Sequence, residues 1–151
     1  MPEMQFETVI HRPVEDVFAL IADLPNYAKW LSTSQLYAGV TQYSELPVRE
    51  GTRYVDTGKM TRMTGAVTAF EPPSRMSFRQ ESISLFGALN IEIRYVLAAE
   101  GDETRVTRRV IVNSSGGYSL LQPVLLRAIR KENERILAAM KAYLEKGIGR
   151  N

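Results

Sequence analysis

Three charged residues stand where the surrounding pattern calls for apolar ones: Asp56, Arg108 and Glu132. In residues 53–61, Arg53, Thr57, Lys59 and Thr61 read as the solvent face of a strand, which turns Tyr54, Asp56 and Met60 inward. Arg108 shares its strand face with Val106, Val110 and Val112. Glu132 falls among Leu121, Leu125, Ile129, Ile136, Ala139, Met140 and Tyr143, within an arc of about 100° when residues 119–146 are stepped as a helix. An unpaired buried charge costs several kcal/mol, so each group must meet an opposite charge, meet water in a cavity, or change its protonation. Arg108 is the expected partner of Glu132. Around an apolar pocket, such groups suit the holding of a carboxylate or enolate oxygen, or acid and base work. They suit a purely structural ion-pair network equally well, and the sequence leaves both open.

The same alternation supplies neutral handles and apolar walls. Tyr54, Gln80 and Tyr95 are inward-facing hydrogen-bonding groups. Phe6, Met76, Phe78, Ile91, Ile93 and Val110 face inward on strands, and Ile129, Ile136 and Met140 lie on the helix stripe. All are candidate ligand contacts, and the apolar ones serve as plain core unless a cavity opens beside them.

Composition removes other chemistries. The chain has 151 residues, no cysteine and one histidine, which excludes disulfides, thiolate metal sites and cysteine nucleophiles. A zinc or non-haem iron site draws on two or three imidazoles, so no metal and no cofactor are expected. His11, beside Arg12 at a strand end, reads as an exposed, non-catalytic residue. The formal charge of +2 is spread over interleaved basic and acidic residues, which argues against nucleic-acid binding. No run of about 18 apolar residues could span a bilayer, and the N-terminus lacks a signal pattern, so a cytoplasmic location is expected. The segment SSGGYS (114–119) lacks the spacing and the lysine of a nucleotide loop and reads as a hinge.

The elements that would position these groups follow from periodicity. Residues 4–10 alternate as a strand. Pro13 and Pro25 each suit a helix start, giving two short helices, the second carrying Tyr27, Trp30 and Leu31. Strand patterns then cover 35–43, 52–60, 64–71, 75–82, 89–98 and 103–113, separated by Gly and Pro turns whose shortness implies antiparallel neighbours. Ser119 and Gln122 have capping-box spacing at the head of a long helix, and Gly147 follows its end. The order predicts one α+β domain over 1–151, with a long amphipathic helix buried on one face of an antiparallel sheet.

The segments RPVEDVFALIADLPNYAKW (12–30), GTRY (51–54) and FEPPSRMSFR (70–79), followed by the long C-terminal helix, resemble the START-like (SRPBCC) superfamily across essentially the whole chain. That resemblance implies a helix-grip fold, in which a curved seven-stranded antiparallel sheet wraps round the C-terminal helix and encloses an apolar cavity. It implies no single activity, because the superfamily hosts different ligands and chemistries. The leading reading is binding or transport of a small hydrophobic ligand, such as a lipid, a polyketide-like aromatic or an isoprenoid. A second is a polyketide cyclase/aromatase-like enzyme using Arg108, Glu132 and a tyrosine for aldol cyclisation and dehydration. A third is an interaction protein like the coenzyme Q chaperone or ribosome-associated members. Ligand identity and oligomeric state stay open.

Overall fold

A computed structural model of the protein describes residues 2–34, 36–58 and 62–146. The predicted orientations of Lys59, Met60 and Thr61, the strand start at Gln35 and the helix stop at Gly147 lie outside the described residues.

The first strand, β1 (Glu3–Ile10), buries Met4, Phe6 and Ile10 on its inner face. Pro13 then precedes α1 (Val14–Ala22), whose first turn carries Glu15 and Asp16 and whose buried stripe is Val17, Phe18 and Ile21. A 3₁₀ helix (Leu24–Lys29) follows with Pro25 in its first turn. Trp30 caps it, buried edge-on against Tyr27 with ring centroids 5.1 Å apart. This contact and the bond from the Tyr27 hydroxyl to the Ile21 carbonyl tie the two short helices together.

The remaining strands are β2 (Gly39–Thr41), β3 (Arg53–Thr57), β4 (Arg62–Glu71), β5 (Arg75–Ser84), β6 (Gly87–Glu100) and β7 (Glu103–Gly116). Together with β1 they form a seven-stranded antiparallel sheet in the order β1-β7-β6-β5-β4-β3-β2. Two strand boundaries differ from the sequence reading. β2 is three residues long instead of spanning 35–43, because Gln42 takes a positive φ of 56° and leaves the ladder. β7 continues through Ser114 and Ser115 to Gly116, which pairs with Gly87, so the expected hinge is a strand end. Glycine is required at Gly116, with φ 65°, because a Cβ there would press on the backbone of Phe86 and Gly87.

A single helical turn, α2 (Gly117–Leu120), intervenes before α3 (Gln122–Glu145). The expected capping box does not form. Leu121 occupies the N-cap of α3, and Pro123 sits in the first turn, where its missing N–H leaves no bond unmade.

The buried stripe of α3 is Ile129, Asn133, Leu137, Met140 and Leu144, rotated by roughly 80° from the expected arc at 100° per residue. Tyr143 and Leu121, both placed inward by the sequence reading, are 40% and 53% exposed. The physical reason is that α3 docks along β1: Lys141 Nζ donates to the Val9 carbonyl, and Arg12 Nη1 donates to the Leu144 carbonyl at 3.2 Å. Two faces of the helix are apolar. One packs into the core, and the other, through Leu125, Glu132 and Ile136, borders a cavity.

Candidate functional site: a cavity between sheet and helix

The concave face of the sheet and the side of α3 leave a cavity of about 130 Å³. Strand alternation supplies its sheet wall in register. Tyr54 lies opposite Gly65, Gly65 opposite Gln80, and Gln80 opposite Ile91, while Phe78, Ile93 and Val110 form the next row. Tyr95 and Arg108 face each other across β6 and β7 one row further on. Apart from Gly65, these residues border the cavity together with Asp56 from β3 and with Ile129, Glu132 and Ile136 from α3. The remaining three candidates do not border it. Phe6, Met76 and Met140 are buried in the adjoining core, because the end of the sheet that they cover is closed by packed side chains.

Gly65 gives this wall its shape. A Cβ at Gly65 would overlap the Cζ edge of the Tyr54 ring, so only glycine lets that ring lie across β4. Reaching over, the Tyr54 hydroxyl accepts a hydrogen bond from Gln80 Nε2 at 3.0 Å. The same nitrogen donates to Asp56 Oδ2 at 3.0 Å, while Asp56 Oδ1 is buried with no hydrogen-bond partner among the described residues. Burial raises the Asp56 carboxyl to about 7, with the negative charge of Glu132 adding to the effect and the Gln80 bond and Arg108 opposing it. Burial likewise pushes the Tyr54 hydroxyl up.

On the far wall, Arg108 is 6% exposed. Its Nε donates to Asn133 Oδ1 at 2.5 Å, Nη1 donates to the Tyr95 hydroxyl, and the guanidinium carbon stands 5.0 Å from the Tyr95 ring centroid. Asn133 is fixed in turn by donating from Nδ2 to the Ile129 carbonyl at 2.7 Å. The expected Arg108–Glu132 ion pair is therefore absent. Glu132 is taken by Arg135 one turn along, with Oε1 to Nε at 2.9 Å and Oε2 to Nη2 at 3.0 Å. Ser34 Oγ adds a bond to Glu132 Oε2 at 2.9 Å, and Arg135 Nη1 donates to the Ser32 carbonyl at 2.8 Å. This clamp ties α3 to the segment before β2 at the cavity rim. The hydrogen bonds of Arg108 go to neutral oxygens only, and Nη2 has no protein partner among the described residues.

Several bordering residues escaped the sequence reading. Asn133 sat beside Glu132 at i+4 from Ile129, and a polar residue there was a usable signal once the stripe was correctly phased. Tyr27, Leu31, Leu36 and Tyr37 come from a 3₁₀ helix and an irregular segment, where no periodicity marks a face. His11 is exposed, with Nδ1 2.7 Å from Glu103 Oε1, and does not border the cavity. Among the described residues no three His, Cys, Asp or Glu side chains are grouped to hold a metal ion, and no helix is long and apolar enough to cross a membrane.

A sheet gripping a long helix over a partly polar cavity defines the helix-grip class of proteins. The sequence model of the polyketide cyclase/dehydrase and lipid transport family matches residues 1–145, and the chain belongs to that family. A search of curated protein sequences finds no match. Among solved structures, the chain resembles the di-domain ARO/CYC BexL from the BE-7585A biosynthetic pathway (TM-score 0.76, 18% identity), covering 99% of this chain and 48% of that one. The di-domain ARO/CYC StfQ from the steffimycin biosynthetic pathway is also similar, with TM-score 0.77, 10% identity, and 97% and 51% of the two chains covered. A hypothetical protein from Helicobacter pylori, jhp0584, gives TM-score 0.77 at 14% identity over 95% of this chain and 88% of its own. The chain spans about half of each di-domain protein, and at these identities the likeness is one of fold.

Proposed function

We propose that the protein binds and carries a small hydrophobic ligand in the cavity between sheet and α3. The observation that carries this reading is the cavity itself, about 130 Å³ bordered mostly by apolar side chains, with hydrogen-bonding groups only at separate points of its walls. A space of that size accepts roughly one aromatic ring, so a longer ligand extends past the rim. Arg108, with Nη2 free of protein partners, orients an oxygen of the ligand, and the apolar wall of Phe78, Ile91, Ile93, Val110, Ile129 and Ile136 encloses the rest.

Native mass spectrometry of protein purified from its own host tests the reading. A retained small molecule that is lost in Arg108→Ala supports it. Protein that leaves the host empty and binds no member of a panel of lipids, aromatics and isoprenoids overturns it.

A second reading, cyclase-like catalysis, is favoured by one observation: Asp56, held near 7, shares the cavity with Arg108. A carboxyl with that affinity for protons accepts one from an acidic carbon near neutral pH, while the guanidinium stabilises the enolate oxygen. Turnover of a poly-β-keto substrate to a cyclised product, abolished in Asp56→Asn, distinguishes catalysis from carriage.

A further inference from the structure

The Tyr54, Gln80 and Asp56 cluster has a hydrogen-bond balance that the fold leaves incomplete. Gln80 Nε2 has two protons, and both are used, one on the Tyr54 hydroxyl oxygen and one on Asp56 Oδ2, each at 3.0 Å. Because Tyr54 accepts there, its own O–H proton points elsewhere, and among the described residues it finds no acceptor. Asp56 Oδ1 is likewise buried and unpartnered. The cluster therefore offers one unused donor and one unused acceptor, both tied to the same nitrogen and both on residues that border the cavity. A complementary ligand group would satisfy both.

Resting on the ligand-binding reading above, we propose that Tyr54, Gln80 and Asp56 form a subsite for a neutral hydroxyl head group, phenolic or enolic, of an apolar ligand about one ring wide. A hydroxyl satisfies both groups at once, accepting from Tyr54 and donating to Asp56. An ammonium has no lone pair for Tyr54, and a carboxylate or phosphate would meet the Asp56 carboxylate with like charge. An ether or bare hydrocarbon gives Asp56 nothing. Gly65 makes the subsite possible by letting the Tyr54 ring reach Gln80.

The test compares 4-propylphenol with its methyl ether, 4-propylanisole, by isothermal titration calorimetry on the full chain at about pH 8, where Asp56 is mostly ionised and the phenol is neutral. The expected result is phenol binding at least about tenfold tighter than the ether, with the ratio falling to about twofold or less in Asp56→Asn, and with both compounds bound about fivefold or more weakly in Tyr54→Phe, whose lost donor serves either oxygen. If Asp56→Asn fails to fold, the weakening of both compounds in Tyr54→Phe decides. Equal binding of phenol and ether overturns the subsite and leaves the cavity reading standing. A phenol preference unchanged in Asp56→Asn, or phenol affinity unchanged in Tyr54→Phe, also overturns it. Binding of neither compound overturns the cavity reading and the subsite together.

Discussion

Arg108 on β7 and Asn133 on α3 are joined through Nε and Oδ1 at 2.5 Å, so the buried cation is held by a neutral amide and not by a carboxylate. Removing the amide leaves a desolvated guanidinium short of an acceptor. Asn133→Leu is expected to lower stability by about 2–4 kcal/mol in urea unfolding. Arg108→Met combined with Asn133→Leu should regain much of that loss, since an apolar pair leaves no charge unsatisfied. Additive single and double variants in the cycle would show that the two residues are not coupled.

Asp56 sets a pH dependence of stability. Its folded value near 7 lies above the unfolded carboxyl range, so its contribution is fully present below about pH 4 and is lost as pH rises through 7. The groups around it are Tyr54 on its own strand, Gln80 on β5, Arg108 on β7, Glu132 on α3, and Tyr27, Tyr37 and Tyr43 from the chain between α1 and β3. Asp56→Asn removes the titration. The variant should gain on the wild type between about pH 4 and 7, by at most about 4 kcal/mol before water in the cavity screens the charge, and the gap should stay level above that. Parallel stability curves from pH 4 to 9 would contradict the raised value.

Gly65→Ala inverts the usual benefit of replacing a strand glycine. The added methyl meets the Tyr54 ring, and overpacking of that kind costs about 1–3 kcal/mol. The variant should melt lower and should also bind 4-propylphenol more weakly, because Tyr54 is driven from Gln80. A Tyr54→Ala background should relieve the melting defect, and persistence of the defect there would place the strain elsewhere.

Glu132 acts as a tether for the rim. Ser34 Oγ, which bonds its carboxylate, also accepts the amides of Leu36 and Tyr37 at 3.2 Å each. Glu132→Ala should cost only about 1 kcal/mol overall, since Arg135 is partly exposed. Hydrogen exchange should nevertheless quicken at Leu36 and Tyr37 without changing in β6 or β7. Met140→Ala, by contrast, opens a hole at a residue with no exposed surface and should cost about 2–5 kcal/mol globally.

The strands and their inward sets were legible because period-two alternation is strong in β6 and β7, where Ile93, Tyr95 and Leu97, and Val106, Arg108 and Val110, are buried at every second position. The helix was legible in extent but not in phase. α3 carries two apolar faces, and only its docking on β1 decides which is core, so Asn133 was missed and Glu132 was matched to the wrong cation. Gly65 was read as part of a strand, and its role depends on the ring across the ladder, which no local pattern reveals. The rim from Leu31 to Tyr37 has no periodicity to read.

The row that runs from Tyr54 through Gly65 and Gln80 to Ile91 crosses four strands, and Arg108 completes the opposite wall only when α3 has docked. No partial assembly of the chain contains the binding site. A ligand consequently cannot guide folding; it recognises only the finished protein and holds it there. Refolding should proceed at the same speed with or without 4-propylphenol, while unfolding slows in proportion to occupancy, so the molecule's lifetime, more than its formation, registers what it carries.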